Sequence, residues 1–145
     1  MKLSTGFEQA CCVLALLTSE DVKKPITNKT LTEAMGVSPT YTTKITRKLV
    51  VAKLITSATG VNGGFILGKP KNEITLYDVV KATDGDEVFF RSKGILERVF
   101  TNQEQKIQLG INLIDEALHE AQLKWEESLK KVSLDKIAKE VMAND

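Results

Sequence analysis

Apolar residues recur three and four positions apart in several stretches of the chain, which is the spacing of amphipathic helices. The first such stretch predicts a helix over Thr5–Leu17. Two further helices are predicted close together, over Asn28–Met35 and from Pro39 to about Lys53. Near the other end, the same spacing predicts the longest helix over about Gln103–Val132 and a last one over Leu134–Met142. The fold is therefore expected to be mainly α.

The second and third predicted helices have clear start and stop signals. Thr27 and Ser38 are good N-cap residues, and Pro39 suits the first helical position, where its missing N–H would be unbonded anyway. Gly36 suits the left-handed residue that ends a helix. Two helices joined by a turn of three or four residues that contains a glycine form a helix-turn-helix.

A short hairpin is predicted directly after this motif. Leu54–Ser57 and Phe65–Leu67 have strand character, and the tip between them, Thr59–Gly64, contains three glycines and an asparagine. Ile26 is expected to add one short strand. After the hairpin, Thr75 and Asp78 form a capping-box pattern for a further helix that ends near Gly85. The hairpin would form the wing of a winged helix-turn-helix.

The helix that begins at Pro39 has two different faces at 100° per residue. One face is expected to pack inward: Tyr41, Ile45, Leu49 and Ala52. The other face has hydroxyl groups and cations and no carboxylate: Thr40, Thr43, Lys44 and Arg47, with Lys48 on its flank. No Asp or Glu occurs between Glu33 and Glu73. This pattern favours an anionic partner, and the alternative is an ordinary solvated basic face.

The longest predicted helix has an apolar seam spaced alternately four and three residues apart, as in a coiled coil. The seam consists of Ile107, Ile111, Ile114, Leu118, Ala121 and Trp125. It predicts pairing with a second copy of the chain. The alternative is that the helix packs against its own domain.

The distribution of charge indicates different roles for the two halves of the 145-residue chain. Residues 1–70 have a formal charge of +5 and residues 71–145 a charge of −4, within a net charge of +1. We expect a DNA-binding domain over 1–85, followed over 86–145 by a connecting loop and dimerisation helices. No apolar run is long enough to span a membrane, and Glu8 and Gln9 interrupt the first apolar stretch, which argues against a signal peptide. A cytoplasmic protein is expected.

Few residues suggest catalysis or metal binding. Cys11 and Cys12 are adjacent within a helical pattern and are interpreted as core residues, with a reactive thiol as the alternative. The single histidine, His119, has no neighbouring ligand in sequence and is interpreted as a surface residue. The chain contains no zinc-ligand spacing, phosphate-binding loop or nucleophile motif. No cofactor, metal or catalytic residue is predicted.

Several motifs together resemble the Rrf2 family of bacterial winged-helix regulators. They are MKLS at the start, SPTY at 38–41, LVVAKLI at 49–55, SATGVNGGFIL at 57–67 and PKNEITLYDVV at 70–80. The resemblance is strong over about residues 1–85 and covers the long helix only in outline. Known members are the iron–sulfur cluster regulator, the nitric-oxide-sensitive repressor and the repressor of cysteine metabolism.

This resemblance implies a homodimer joined by the long helix and bound to operator DNA. It implies that the second helix of the motif enters the major groove, through Tyr41, Lys44, Arg47 and Lys48. It also implies that the wing tip reaches the minor groove, through Gly60, Asn62, Gly63 and Gly64. Two departures stand out. Cluster-binding members have three cysteines where 86–106 has none, and many members have an arginine where this chain has Thr59.

We therefore expect a sequence-specific transcriptional repressor that acts on double-stranded DNA and lacks an iron–sulfur cluster. A winged-helix adaptor that binds mainly a partner protein is the alternative, and an enzyme using Cys11 or Cys12 is a more distant one. A signal could enter by modification of these cysteines. A small-molecule effector or partner protein at the Phe89–Phe90 loop is the favoured route.

Overall fold

The computed structural model describes residues 2–19 and 24–144. Its helices and strands, in chain order, are α1 (Thr5–Thr18), α2 (Asn28–Met35), α3 (Pro39–Val51), β1 (Ile55–Ala58), β2 (Gly64–Leu67), α4 (Leu76–Asp84), α5 (Ile95–Val99), α6 (Glu104–Lys130) and α7 (Leu134–Ala143). A single 3₁₀ turn covers Lys71–Glu73. Among the described residues, no helix combines the length and apolarity needed to cross a bilayer. The predicted class, mainly helical with a small β-wing, is confirmed.

The chain forms two compact units. The larger unit combines 2–85 with 129–145, and the smaller one consists of 86–128. One boundary between the units falls after residue 85, and the described residues from 129 onward group with the first part of the chain rather than with the long helix. The contacts of α7 explain this grouping. Leu134 N–H donates to Ile74 O at 2.9 Å, and Leu76 N–H donates to Val132 O at 2.9 Å.

The core of the larger unit is built around α1, which contacts α2, α3, α4, α7 and β2. Its fully buried side chains come from almost every element of the unit: Val13 and Leu14 of α1, Leu31 of α2, Leu49 of α3, Ile55 of β1 and Val79 of α4. Burial of a Leu, Ile or Val side chain contributes about 1.5–3 kcal/mol each. This shared core fixes the positions of α2 and α3 relative to the wing.

The wing is a two-stranded antiparallel sheet in which Ile55 pairs with Leu67 and Ala58 with Gly64. Ile26 forms the expected extra bridge, because its N–H and O exchange hydrogen bonds with Phe65 at 3.0 and 2.8 Å. A β-carbon on Gly64 would lie 2.6 Å from the Ile26 carbonyl. Glycine at this position therefore allows the two backbones to approach.

The α3 helix ends two residues earlier than predicted. Lys53 adopts a left-handed conformation with φ of 59°. Lys53 N–H donates to Val50 O and Leu54 N–H donates to Leu49 O, both at 2.9 Å. These are the two bonds of a Schellman motif, which usually has glycine at the left-handed position. The motif turns the chain from α3 directly into β1.

The smaller unit consists of a loop, α5 and most of α6. Phe89 N–H donates to the Gln122 side chain at 3.0 Å, and the Phe89 ring lies edge-on to Trp125 with 5.5 Å between ring centroids. The short helix α5 was not predicted from the sequence. A hydrogen bond from the loop backbone and an aromatic contact therefore help to hold the loop on α6.

Candidate nucleic-acid interface

The turn between α2 and α3 has the predicted capping contacts. The Thr27 hydroxyl accepts a hydrogen bond from Thr30 N–H at 3.1 Å, and the Ser38 hydroxyl accepts one from Tyr41 N–H at 3.4 Å. Gly36 is left-handed, with φ of 63°. Local chemistry therefore fixes where α2 and α3 begin and the turn that separates them.

The exposed face of α3 is basic and rich in hydroxyl groups. Its exposed residues include Thr40, Tyr41, Thr43, Lys44 and Arg47. The prediction that Tyr41 packs inward is wrong, because its side chain is 58% exposed. Ile45 and Leu49 are buried and Ala52 is half-buried, as predicted.

Two threonines, Thr42 and Thr46, occupy the buried face of α3 instead of Tyr41. The Thr46 hydroxyl donates to Thr42 O at 3.0 Å, and the Thr32 hydroxyl donates to the Thr42 hydroxyl at 2.8 Å. A buried hydroxyl is tolerated when it is hydrogen-bonded. The rotation of α3 about its own axis is thus set by small buried side chains whose hydroxyl groups have hydrogen-bond partners nearby.

An open concavity of about 780 Å³ lies between the exposed side of α3 and helix α4. Its lining combines Thr40, Thr43, Lys44 and Arg47 of α3 with Asp78 and Lys81 of α4. Asp78 is the only acid among these lining residues within the described chain, and its carboxylate accepts hydrogen bonds from Thr75 N–H and Thr75 Oγ1 at 2.8 Å each. Lys81 therefore extends the basic surface beyond the helix-turn-helix. Nothing in the sequence indicates that α4 lies beside α3.

Lys48 differs from the other cations of α3. It is half-buried, and its ammonium group donates a hydrogen bond to Thr83 O in the last turn of α4. Asp84, the next residue, is partly buried, which by itself would raise its pKa. Hydrogen bonds from Thr83 and Ser4 and the charge of Lys48 outweigh that effect and hold the pKa of Asp84 below its usual value.

The wing tip is exposed at Gly60 and Asn62 and half-buried at Gly63 and Gly64. Gly60 has φ of 104° and open space around it. A β-carbon on Gly63 would lie 2.7 Å from Ala58 O. The hairpin's own packing therefore accounts for Gly63 and Gly64, whereas Gly60 and Asn62 face solvent.

The predicted dimer seam divides into two parts on α6. Within the single chain Ile111 is buried, and Ile107, Leu118 and Trp125 are half-buried. Ile114 and Ala121 are exposed. Leu109 and Leu113, which the prediction did not include, are 63% and 60% exposed. Exposed apolar side chains of α6 therefore lie both within the predicted seam and on another side of the helix.

A second cavity, of about 430 Å³, lies between the Phe89–Phe90 loop and α6. Its lining combines apolar and polar side chains: Phe89, Phe90, Leu118, Arg91, Asp115 and His119. The only histidine of the chain is exposed, as predicted, but it lies at this cavity. Size and mixed lining suit a small molecule.

The two cysteines are both half-buried on α1. Burial raises the pKa of the Cys11 thiol, and Cys12 and Glu8 raise it further. Cys11 also lines an apolar groove of about 680 Å³ with Leu134 and Ile137. A raised pKa lowers the fraction of thiolate, the reactive form, so this site is poorly suited to nucleophilic chemistry.

A helix-turn-helix followed by a two-stranded wing, with exposed cations on its second helix, defines a winged-helix DNA-binding protein. The sequence profile of the Rrf2 family, described as "Iron-dependent Transcriptional regulator", matches residues 3–140. The chain belongs to the Rrf2 family and is a DNA-binding transcriptional regulator.

Individual relatives agree with this assignment. YwgB of Bacillus subtilis (strain 168), named as an HTH-type transcriptional regulator, is 36% identical over 134 residues, covering 92% of this chain and 82% of YwgB. YffB of Lactococcus lactis subsp. lactis (strain IL1403), named in the same way, is 35% identical over 144 residues, covering 99% and 91%. The structure of CymR (YrzC), the global cysteine regulator of B. subtilis, has the same fold, with a TM-score of 0.66 at 21% identity over 96% of this chain and 97% of CymR.

The family description implies iron, which the side chains of this chain do not fit. The chain has only two cysteines, and they are adjacent on α1. No group of three or more His, Cys, Asp or Glu side chains in 2–19 and 24–144 could hold a metal ion. An iron–sulfur cluster is usually held by four ligands, most of them thiolates. The donor set needed for the family's metal is therefore not assembled in the described residues.

Proposed function

We propose that the chain is a bacterial cytoplasmic repressor that binds operator DNA as a homodimer and acts by binding rather than catalysis. One observation supports this most directly: the exposed face of α3 combines cations and hydroxyl groups and lacks carboxylates. Cations neutralise phosphates, and Arg, Thr and Tyr side chains can also contact base edges. The residues proposed for the major groove are Thr40, Tyr41, Thr43, Lys44 and Arg47.

The wing tip is the proposed minor-groove contact, over Gly60–Gly64. The exposure of Gly60 and Asn62 supports this role, as does the lack of any acidic side chain in the hairpin. The minor groove is narrow, so a tip of small residues can approach closely. With threonine at position 59, the backbone and the Asn62 amide are the groups available for hydrogen bonding there.

Exposed apolar surface supports the homodimer. Ten large hydrophobic side chains in 86–128 are exposed in the single chain. On α6 they include Leu109 and Leu113 on one side of the helix and Ile114 within the predicted seam. An interface with a second copy would remove these side chains from water.

The cavity at the Phe89–Phe90 loop is the proposed effector site. An effector would raise the melting temperature, because binding to the folded state alone stabilises it. In a thermal-shift screen of metabolites, hits should disappear in Phe90→Glu and persist in a Cys11→Ser, Cys12→Ala variant. Hits that are lost only in the cysteine variant would move the signal to α1.

DNA binding is tested with fragments selected from the genome of the source organism. Fluorescence anisotropy over a range of salt concentrations should show a slope of log affinity against log salt of about 0.9 per phosphate contact. Lys44→Ala should lower that slope by about 0.9 and weaken binding to all DNA sequences alike. Arg47→Ala should relax preference at one base pair by roughly 1–3 kcal/mol if Arg47 contacts a guanine.

Lys136→Ala is the matched control, since Lys136 is an exposed lysine on α7 and outside the proposed surface. It should leave both slope and preference unchanged. Salt-independent binding, or no binding to any fragment, would contradict the proposal. It would favour the adaptor that binds mainly a partner protein.

A further inference from the structure

Lys48 is the one cation of α3 whose ammonium group is hydrogen-bonded to another helix within the described chain. The acceptor is Thr83 O, in the last turn of α4. Carbonyl groups in the last turn of a helix have no partner within the helix, and a cation there also interacts favourably with the helix dipole. The bond therefore satisfies an end group of α4 and fixes the flank of α3 against it.

Asp84 extends this contact to α1. One carboxylate oxygen accepts a hydrogen bond from Ser4 N–H at 2.8 Å, and the other accepts one from the Thr83 hydroxyl at 2.7 Å. Ser4 is the N-cap residue of α1. Lys48 stabilises the ionised carboxylate through its charge. Four residues thus join the start of α1, the second half of α3 and the end of α4.

We propose that Lys48 is a positioning residue rather than a phosphate contact: with Asp84 it holds α3 at the angle needed to contact DNA. The proposal rests on the proposed function of the α3 surface. The proposal gives Lys48 a different role from Lys44 and Arg47. All three residues lie close together in the sequence of α3, but Lys44 and Arg47 are exposed whereas Lys48 is half-buried. A small rotation of α3 would shift the base contacts of the whole helix slightly, so operator affinity should fall even though Lys48 itself contacts no base.

The two roles predict different salt dependence. If Lys48 positions α3, Lys48→Met should weaken operator binding roughly tenfold, the scale of one lost base contact, and leave the salt slope unchanged. If Lys48 binds a phosphate, the slope should fall by about 0.9, as for Lys44→Ala. Lys48→Arg retains a charge and a donor and should restore most of the affinity.

Substitution of Asp84 provides a test in which the two explanations predict opposite changes in operator affinity. Asp84→Ala removes a negative charge near a DNA-binding surface, so electrostatics alone predicts tighter binding. Loss of helix positioning predicts weaker binding with an unchanged salt slope. If Asp84→Ala is too unstable to measure, Asp84→Asn gives the same two outcomes, because it loses the charge and the acceptor for the Thr83 hydroxyl.

All measurements are made at a temperature where circular dichroism shows each variant folded. Tighter binding by the Asp84 variant, a reduced slope for Lys48→Met, or a lowered melting temperature without loss of affinity would each overturn the proposal. A wild-type protein without salt-dependent binding would instead contradict the proposed function. The two failures are therefore distinguishable.

Discussion

Thr42 and Thr46 show why a threonine can occupy a core position that pattern analysis assigns to an aromatic residue. Each hydroxyl has a partner within reach on α2 or α3, so burial leaves no polar group unpaired. Tyr41 precedes Thr42 and lies on the exposed face, where its ring and hydroxyl remain available for contact with DNA. Side-chain hydrophobicity alone does not identify this arrangement.

The contrast between Tyr41 and Leu49 is testable on a single helix. Tyr41→Ala should change the free energy of unfolding by less than about 0.5 kcal/mol, because an exposed side chain makes few core contacts. Leu49→Ala should lower it by about 2–5 kcal/mol, since Leu49 is fully buried. Urea denaturation of both variants gives the comparison.

Operator affinity provides the second half of this test. Tyr41→Ala should weaken DNA binding while stability is retained. A large loss of stability in Tyr41→Ala would show that the ring packs inward after all.

Helices that begin with a capping residue were predictable, because a cap is local chemistry. The Thr75–Asp78 capping box has both of its bonds, and Ser133 Oγ accepts from Lys136 N–H at 3.2 Å. The short helix α5 and the 3₁₀ turn at Lys71–Glu73 were not predicted, since neither is long enough to show a period. Hairpin and helix-turn-helix were predicted for the same local reasons.

Contacts between distant parts of the chain were not predictable in this way. Nothing in the sequence pairs Lys48 with Thr83, places Lys81 beside α3 or returns α7 to the Ile74–Leu76 backbone. These contacts depend on the angles at which helices pack around α1. The residues of the exposed basic face of α3 were therefore largely predictable, while the contacts that support this face and its extension onto α4 required the structure.

Two glycines of the wing, Gly60 and Gly64, have different surroundings, and substitution can distinguish them. Gly64→Ala should destabilise the protein by about 1–3 kcal/mol, because the new β-carbon would meet the Ile26 carbonyl and strain the backbone. In Gly60→Ala the new β-carbon would meet no neighbour. The free energy of unfolding should therefore fall by only about 1–2 kcal/mol, because alanine disfavours the positive φ at this position. Thermal unfolding measures both.

DNA affinity distinguishes the same two glycines. Gly60→Ala should impair minor-groove contact directly, at temperatures where it is folded. If Gly64→Ala is as stable as wild type, the close approach of the two backbones is not required for the wing.

At the scale of the whole molecule, residues 2–19 and 24–144 lack a donor set for the iron that the family description names. We expect that chelation of iron leaves operator affinity unchanged, because no described group of side chains could hold the ion. The measurement compares anisotropy titrations before and after anaerobic treatment with a strong chelator. Loss of affinity on chelation and its restoration by added iron would show that the chain binds the metal.

The last prediction concerns assembly. Leu113 and Ile114 are exposed on α6, and charging them should cost little in the single chain but much in an interface that excludes water. Leu113→Glu with Ile114→Glu should therefore give folded monomers. A monomer contacts one half-site, whereas a two-fold dimer contacts two that are about 34–36 Å or a multiple apart, so operator affinity should also be lost.

The control adds the same two charges at two exposed polar positions of the same helix, as Gln108→Glu with Asn112→Glu. This variant should remain dimeric by analytical ultracentrifugation and bind operator DNA. Monomers from Ile111→Glu would not be informative in the same way, because Ile111 is buried in the single chain and its substitution would unfold it. A dimer that survives the Leu113 and Ile114 substitutions would move the proposed interface to other exposed side chains, such as Ile95 and Val99 of α5.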